Sequence, residues 1–249
     1  MTRPAVDAGA FADDARAAGL TPVASPVMRI DYAPTPIDFE GVGAIALTSA
    51  NGARALGDVD DARKATTPVY AVGEATAAAA RAMGFARVDA GAAHGGRGDV
   101  VALADRLIAA RRDGAFAGDV LHPAGAHRRG DLVTMLGEAD IAARRIEAYA
   151  AIPTERPSAE ARTLMDSDAL AAVALFSPRT AALFVERHTD GGRWLERLAA
   201  ACLSQAVADA ARDAAEALGR PWRRIDVAAK MTSPAAAAAA ARSFRSIDA

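Results

Sequence analysis

Short, mainly apolar runs alternate along this chain with longer stretches whose apolar and charged residues recur at helical spacing. The short runs are GAIALTS (43–49), TPVYAVG (67–73), DVLHPAG (119–125), AAVALFS (171–177) and RRIDVAA (223–229). Bounded by small and turn residues, they predict buried strands. The longer stretches, GEATAAAARAMG (73–84), DVVALADRLIAARRDG (99–114), RGDLVTMLGEAD (129–140) and SQAVADAARDAAEALG (204–219), consist of helix formers that stop at or near glycine or a turn residue. Strand–helix alternation of this kind predicts an α/β fold, with parallel sheets covered by helices on both faces.

The pattern also repeats. At an offset of 128 residues, Ala44, Ala46, Leu47, Ser49 and Ala53 correspond to Ala172, Ala174, Leu175, Ser177 and Ala181. Each copy is followed by a second strand-like segment, a small-residue turn (VGEAT, 72–76; LSQAV, 203–207) and an alanine-rich helix. Two similar α/β domains are expected rather than one long sheet. MRIDYAPTP (28–36) and IEAYAAIPTERP (146–157) combine extended runs with prolines, as linkers do. The reading is therefore a discontinuous domain, 1–28 plus 154–249, with a second domain, 36–146, inserted between linkers 29–35 and 147–153. A helix over about 6–18 and a strand at TPVASP (21–26) would belong to the discontinuous domain, and TSPAAAAAAARS (232–243) would form a helix after a capped turn.

A strand that ends in Ser or Thr and opens a helix leaves backbone N–H groups facing the crevice at the carboxyl end of the sheet, where the helix dipole favours an anion. Four junctions have this form: Thr48–Ser49–Ala50–Asn51–Gly52, Val72–Gly73–Glu74–Ala75–Thr76, Ser177–Pro178–Arg179–Thr180 and Ser204–Gln205. Each can instead be a plain helix cap.

Composition narrows the classes. The 249 residues are 52% hydrophobic and 24% charged, with only 5% aromatics, so aliphatic packing must fill the interior. A formal net charge of −2 gives no electrostatic footprint for nucleic acid. Cys202 is the single cysteine, which excludes an internal disulfide, suits a reducing compartment and, in an apolar segment, predicts a buried inert thiol. The N-terminal stretch lacks a signal peptide's apolar core, and no run reaches the roughly 20 apolar residues of a membrane helix, so a cytoplasmic location is expected. GAHRRGDL (125–132) has P-loop glycine spacing without the lysine, GGRGDV (95–100) lacks a full dinucleotide fingerprint, and no GxSxG occurs. His122 and His127 are read as polar loop residues without a ligand set beside them, so no metal is expected.

In order, TRP (2–4), LTSANG (47–52), VYAVGEATAAAARAMGF (69–85), HPAGAHRRGDL (122–132), IEAYAAIP (146–153) and LFSPRTAALF (175–184) resemble uroporphyrinogen-III synthase over essentially the whole chain. The resemblance implies two flavodoxin-like-derived parallel-sheet domains joined by a two-stranded linker, with a cleft between them. It implies closure of hydroxymethylbilane, a linear tetrapyrrole with eight carboxylates, to a macrocycle whose terminal pyrrole ring is inverted, with loss of water and no cofactor. A monomer is the family tendency. The resemblance places a catalytic tyrosine at Tyr149, as proton donor or orienting hydrogen bond, and a motif arginine at Arg129. With the junction residues Thr48, Ser49, Asn51, Gly52, Gly73, Thr76, Ser177, Arg179, Thr180 and Ser204, these form the expected substrate site. It also implies a strand just before Thr2–Arg3–Pro4, where this sequence has Met1, and a glycine and threonine at the fourth junction, where it has Ser204–Gln205–Ala206–Val207. The competing class is a non-catalytic two-domain protein that binds a small acidic ligand.

Overall fold

A computed structural model describes residues 1–4, 6, 8–32, 37–91, 100–126 and 131–245. Within these the elements run α1 (Gly9–Ala17), β1 (Met28–Tyr32), β2 (Val42–Leu47), α2 (Ala50–Arg54), α3 (Asp61–Thr66), β3 (Val69–Ala71), α4 (Glu74–Ala82), β4 (Val88–Ala90), α5 (Val100–Arg112) and β5 (Asp119–Gly125). They continue with α6 (Leu132–Gly137), β6 (Ala143–Pro153), α7 (Ala159–Asp166), β7 (Ala172–Leu175), α8 (Pro178–His188), β8 (Ala199–Cys202), α9 (Gln205–Ala217), β9 (Arg224–Val227) and α10 (Ser233–Arg245). The chain is α/β, with two compact units: a continuous one, Ile30–Ala151, and a discontinuous one, Met1–Arg29 with Ile152–Ala249. The divisions fall inside β1 and β6, which are neighbours in one sheet.

The sheet that carries the continuous unit has the order β1-β6-β5-β2-β3-β4, and β6, β5, β2, β3 and β4 pair parallel in succession. Its central strand β2 has no solvent-facing side beyond its first residues, because alternate side chains enter two different cores. Ala44 and Ala46 face Leu103, Leu107, Leu132 and Leu136, while Ile45 and Leu47 face Leu56, Val69, Phe85 and Leu121. Small residues on one face and large ones on the other let helices lie at different depths on the two sides. Gly43 is dictated by contact rather than by φ: a methyl there would lie 1.5 Å from the carbonyl oxygen of Ala117.

The discontinuous unit repeats the core of this arrangement. β7, β8 and β9 pair parallel in that order, joined through α8 and α9, as β2, β3 and β4 are joined in part through α2 and α4. The strands AVAL and AAAC are almost wholly buried, and alanine's small volume brings α9 and α10 close to them. Aromatics fill what alanine cannot: Phe11 meets Phe176 edge-on at 4.9 Å, and Phe184 stacks on Trp222 at 6.0 Å.

Two sequence readings are corrected here. TPVASP forms no regular strand; its backbone serves Met1 instead, through Ser25 N–H to the Met1 carbonyl (3.0 Å) and the Met1 amine to the Val23 carbonyl (2.8 Å), while Val27, just after it, donates to the Thr2 carbonyl (3.2 Å). His122 is no loop residue. It lies in β5, 7% exposed, with Nδ1 2.9 Å from the Ala46 carbonyl oxygen. Segments 92–99 and 127–130 lie outside the described residues, as therefore do most of GGRGDV, His127 and Arg129. Among the described residues no helix is long and apolar enough to cross a membrane.

Candidate functional site

The carboxyl ends of β2, β3 and β5 lie on one edge of the sheet. β2 leads toward β3 on one side, whereas β5 leads toward β6 on the other, so the gap between β5 and β2 is the topological switch point. Open α/β sheets bind their ligands at such a point, because the connecting chains diverge and leave a crevice.

Tyr149 spans it. The tyrosine stands on β6, and its hydroxyl lies 2.8 Å from Ser49 Oγ, at the end of β2, with β5 in between. A register shift puts it there. Ala124 pairs with Glu147, but Gly125 pairs with Tyr149, so Ala148 is an extra residue in β6. A bulge of this kind re-aims the side chain that follows it and is uncommon in parallel pairs. Ser49 is held in turn by the helix it caps: its Oγ accepts from Gly52 N–H at 3.1 Å.

Beside this pair, the Asn51 carbonyl oxygen accepts from Arg54 (2.7 Å) and from the Tyr32 hydroxyl (3.3 Å). Arg145, half-buried on β6, donates to the Gly125 carbonyl, and no ion pair of Arg145 with a carboxylate occurs among the described residues. Its charge and, above all, burial hold His122 below the usual imidazole pKa, against the opposing hydrogen bond to Ala46. His122 is therefore neutral at pH 7.

The junction residues fall into two kinds. Ser49, Ser177 and Thr180 are committed to caps: Ser177 Oγ accepts from Thr180 N–H (3.2 Å), and Thr180 Oγ1 accepts from Ser177 N–H (3.0 Å), a reciprocal capping box with Pro178 at the first turn. Gly52 is buried, donates to Ser49, and lies so close to the Pro123 carbonyl that a methyl would come within 2.6 Å of it. It packs α2 onto β5. By contrast, Gly73 and Ser204 cap α4 and α9 in extended backbone, each with no side-chain hydrogen bond to the first turn. They occupy the same place in the two units, after the second strand of each repeat, so Ser204 reproduces Gly73's backbone despite the different sequence. Thr76 is buried in the first turn of α4, Thr48 is half-buried beside Ser49, and Arg179 is exposed at the start of α8.

Tyr149, Ser49, Asn51 and Gly52 thus come together in the continuous unit, with Thr48 next to Ser49 in sequence; Gly73 and Thr76 stand at the end of the adjoining strand β3. Ser177, Arg179, Thr180 and Ser204 belong to the discontinuous unit. Tyr32, Arg54, Arg145 and the hydrogen bond of His122 to the Ala46 carbonyl were not evident from the sequence. The one available signal was that each is a polar residue in or next to an apolar run.

The family model described as uroporphyrinogen-III synthase HemD matches residues 9–218 of this chain. Among solved structures, uroporphyrinogen-III synthetase from Helicobacter pylori shares 17% identity at a TM-score of 0.53, covering 84% of this chain and 87% of that one. Mutant uroporphyrinogen III synthase from the extremely thermophilic bacterium Thermus thermophilus shares 17% identity at a TM-score of 0.47, covering 95% and 94%. No curated protein sequence matches significantly. The family match runs through both repeats and through the strand ends where Ser49 and Tyr149 meet; the chain belongs to the uroporphyrinogen-III synthase family.

Proposed function

We propose that this chain closes hydroxymethylbilane to uroporphyrinogen III with Tyr149 as its proton donor, in tetrapyrrole biosynthesis. The observation that carries the assignment is the Tyr149–Ser49 contact across the switch point. Ser49 Oγ accepts from Gly52 N–H and still has its own proton to give; on this reading it donates that proton to the phenol oxygen, one of the two directions the contact allows. The phenol proton is then free to be given outward. Donated to the bilane's hydroxyl, it lets the C–O bond break and water leave, which generates an azafulvene on the first ring.

That electrophile needs little further activation. The substituted α carbon of the terminal ring attacks it and forms a spiro centre; the older bond from that carbon to its bridging carbon breaks, and the bridge closes again at the ring's other, unsubstituted α carbon. The ring is inverted once a proton is lost. What the protein must supply is orientation, which is worth up to roughly 7–11 kcal/mol in well-aligned systems, together with proton donation, worth about 10²–10⁴-fold.

The substrate's carboxylates call for cations and unoccupied N–H groups. Arg145 stands at the switch point for one of them. The first turns of α4 and α9, free of side-chain caps at Gly73 and Ser204, offer N–H groups with the positive end of a helix dipole. Ser177, Thr180 and Gly52 support the frame through caps and packing, and Arg179 stands exposed at the start of α8 as a further cation. On this reading the protein is a cyclising lyase that works as a cytoplasmic monomer, in keeping with its near-neutral charge and single buried cysteine.

The test supplies bilane from its synthase and separates the uroporphyrin isomers after oxidation. Bilane closes unaided to isomer I, so isomer III above background supports the activity, and Tyr149→Phe is expected to lower its rate by ~10²-fold. Isomer I alone from folded protein would overturn the activity and leave a binding role. Undiminished isomer III from the variant would remove Tyr149 as the donor.

A further inference from the structure

Gly125 stands in extended strand at the end of β5, with no positive φ, so its backbone alone would accept any residue. Its surroundings would not. A methyl at residue 125 would lie 2.9 Å from both Cε2 and Cζ of Tyr149 and 3.1 Å from the phenol oxygen. The strand order β6-β5-β2 explains why. For a tyrosine on β6 to reach a serine on β2, its ring must cross the intervening strand, which lies about 4.8 Å from each neighbour. The ring can lie flat enough only where that strand has no side chain.

We propose that Gly125 is a positioning residue for the family's reaction: its bare Cα is the seat that holds the Tyr149 hydroxyl against Ser49. Two further features converge on the same spot. The extra residue Ala148 sets Tyr149 opposite Gly125 rather than opposite the residue that follows it, and the Gly125 carbonyl receives the Arg145 guanidinium. One glycine thus locates both the proton donor and a neighbouring cation, through its missing side chain and its carbonyl respectively. The catalytic part of this inference rests on the role proposed above for Tyr149; the geometric part does not.

The seat is expected to be sensitive to one carbon. The clashing atoms are the far end of a side chain, so the cheapest relief of an added methyl is for the ring to swing away. Gly125→Ala should therefore fold and lose the Tyr149–Ser49 contact. A displacement of about 1 Å of a reacting group can cost ~10²-fold in rate.

The experiment uses full-length protein with ¹³C-labelled tyrosine. Only Tyr32, Tyr70 and Tyr149 contribute, so each ring signal is assigned by substitution to Phe. In Gly125→Ala, the Tyr149 signal should shift to the position it takes in Ser49→Ala, while Tyr70, buried against Phe116, stays in place. Isomer III formation should fall to the level of Tyr149→Phe, and the double variant Gly125→Ala/Tyr149→Phe should be no slower than Tyr149→Phe alone. An unmoved Tyr149 signal would overturn the positioning role whatever the activity. A moved signal with full isomer III formation would keep the seat and overturn Tyr149 as donor, which separates the two failures. If Gly125→Ala does not fold, Gly125→Ala/Tyr149→Leu must, since no aromatic ring then crosses residue 125; failure of that variant also refutes the seat.

Discussion

Replacing Ser49 by alanine removes two interactions with one atom. Its Oγ caps α2 through Gly52 N–H at 3.1 Å and holds the Tyr149 hydroxyl at 2.8 Å. Loss of a Ser cap costs about 1 kcal/mol, and a neutral hydrogen bond contributes about 1 kcal/mol net. Both groups are half-buried, so water replaces part of what is lost. Ser49→Ala should therefore destabilise by about 2 kcal/mol. Tyr149→Phe, which deletes only the shared bond, should cost about 1 kcal/mol. The double variant should match Ser49→Ala alone, because the bond cannot be lost twice, and the coupling is then about 1 kcal/mol.

Urea unfolding followed by near-UV circular dichroism in the tyrosine band is the appropriate assay. All three tyrosines lie in the continuous unit, whereas Trp194 and Trp222 lie in the discontinuous one, so tryptophan fluorescence follows that unit separately. The midpoint should move without a change in slope, since the surface exposed on unfolding is the same. If the single costs add to within about 0.3 kcal/mol, the two hydroxyls do not interact in solution, and the account of the switch point fails.

Cys202, buried in β8, has its thiol pushed up to about 12, chiefly by burial, so it should resist alkylation by iodoacetamide at pH 8 and react fully once unfolded in urea, as read by mass spectrometry. Burial also lowers the pKa of His122 and His188, the latter held by Thr154 and flanked by Arg187 and Glu155. Their native states favour the neutral ring, whereas the unfolded rings take up protons from about pH 6.5 downward. The stability they contribute is thus fully present above that pH and falls as pH drops toward the native values. Thermal melts between pH 7.5 and 5 should show this decline in the wild type, and a smaller one in His122→Gln/His188→Gln; an equal decline would assign it to other groups.

Local pattern is enough to recover what depends on local physics. The runs at 43–49, 67–73, 119–125, 171–177 and 223–229 all contain strands; those at 43–49, 67–73 and 119–125 are apolar because parallel central strands are buried on both faces, whereas β9 in 223–229 is an edge strand and carries Arg224 and Asp226. Ser49 and Ser177 open helices because the residue type that caps a first turn acts over three positions. The repeat was legible for the same reason, since each copy needs the same small and large residues on the same faces.

Tertiary structure decided the rest. TPVASP has the composition of a strand, but only pairing along a regular ladder makes one, and its Val23 carbonyl and Ser25 N–H are spent on Met1. His122 reads as a polar interruption until the Ala46 carbonyl of the neighbouring strand is brought to it, 76 positions away in the sequence. The junction residues all looked alike, yet some are consumed by caps and others leave the helix end uncapped, a distinction made by side-chain geometry. The seat at Gly125 is the clearest instance. Nothing within the strand asks for glycine there; the demand comes from a tyrosine 24 positions on, which a bulge sets opposite it and whose ring must cross to a serine from a third strand. Sequence determines which segments become strands and helices, because burial and capping act over neighbouring residues. Which side chains share a site is settled only when strand order and register place distant residues within a few ångströms.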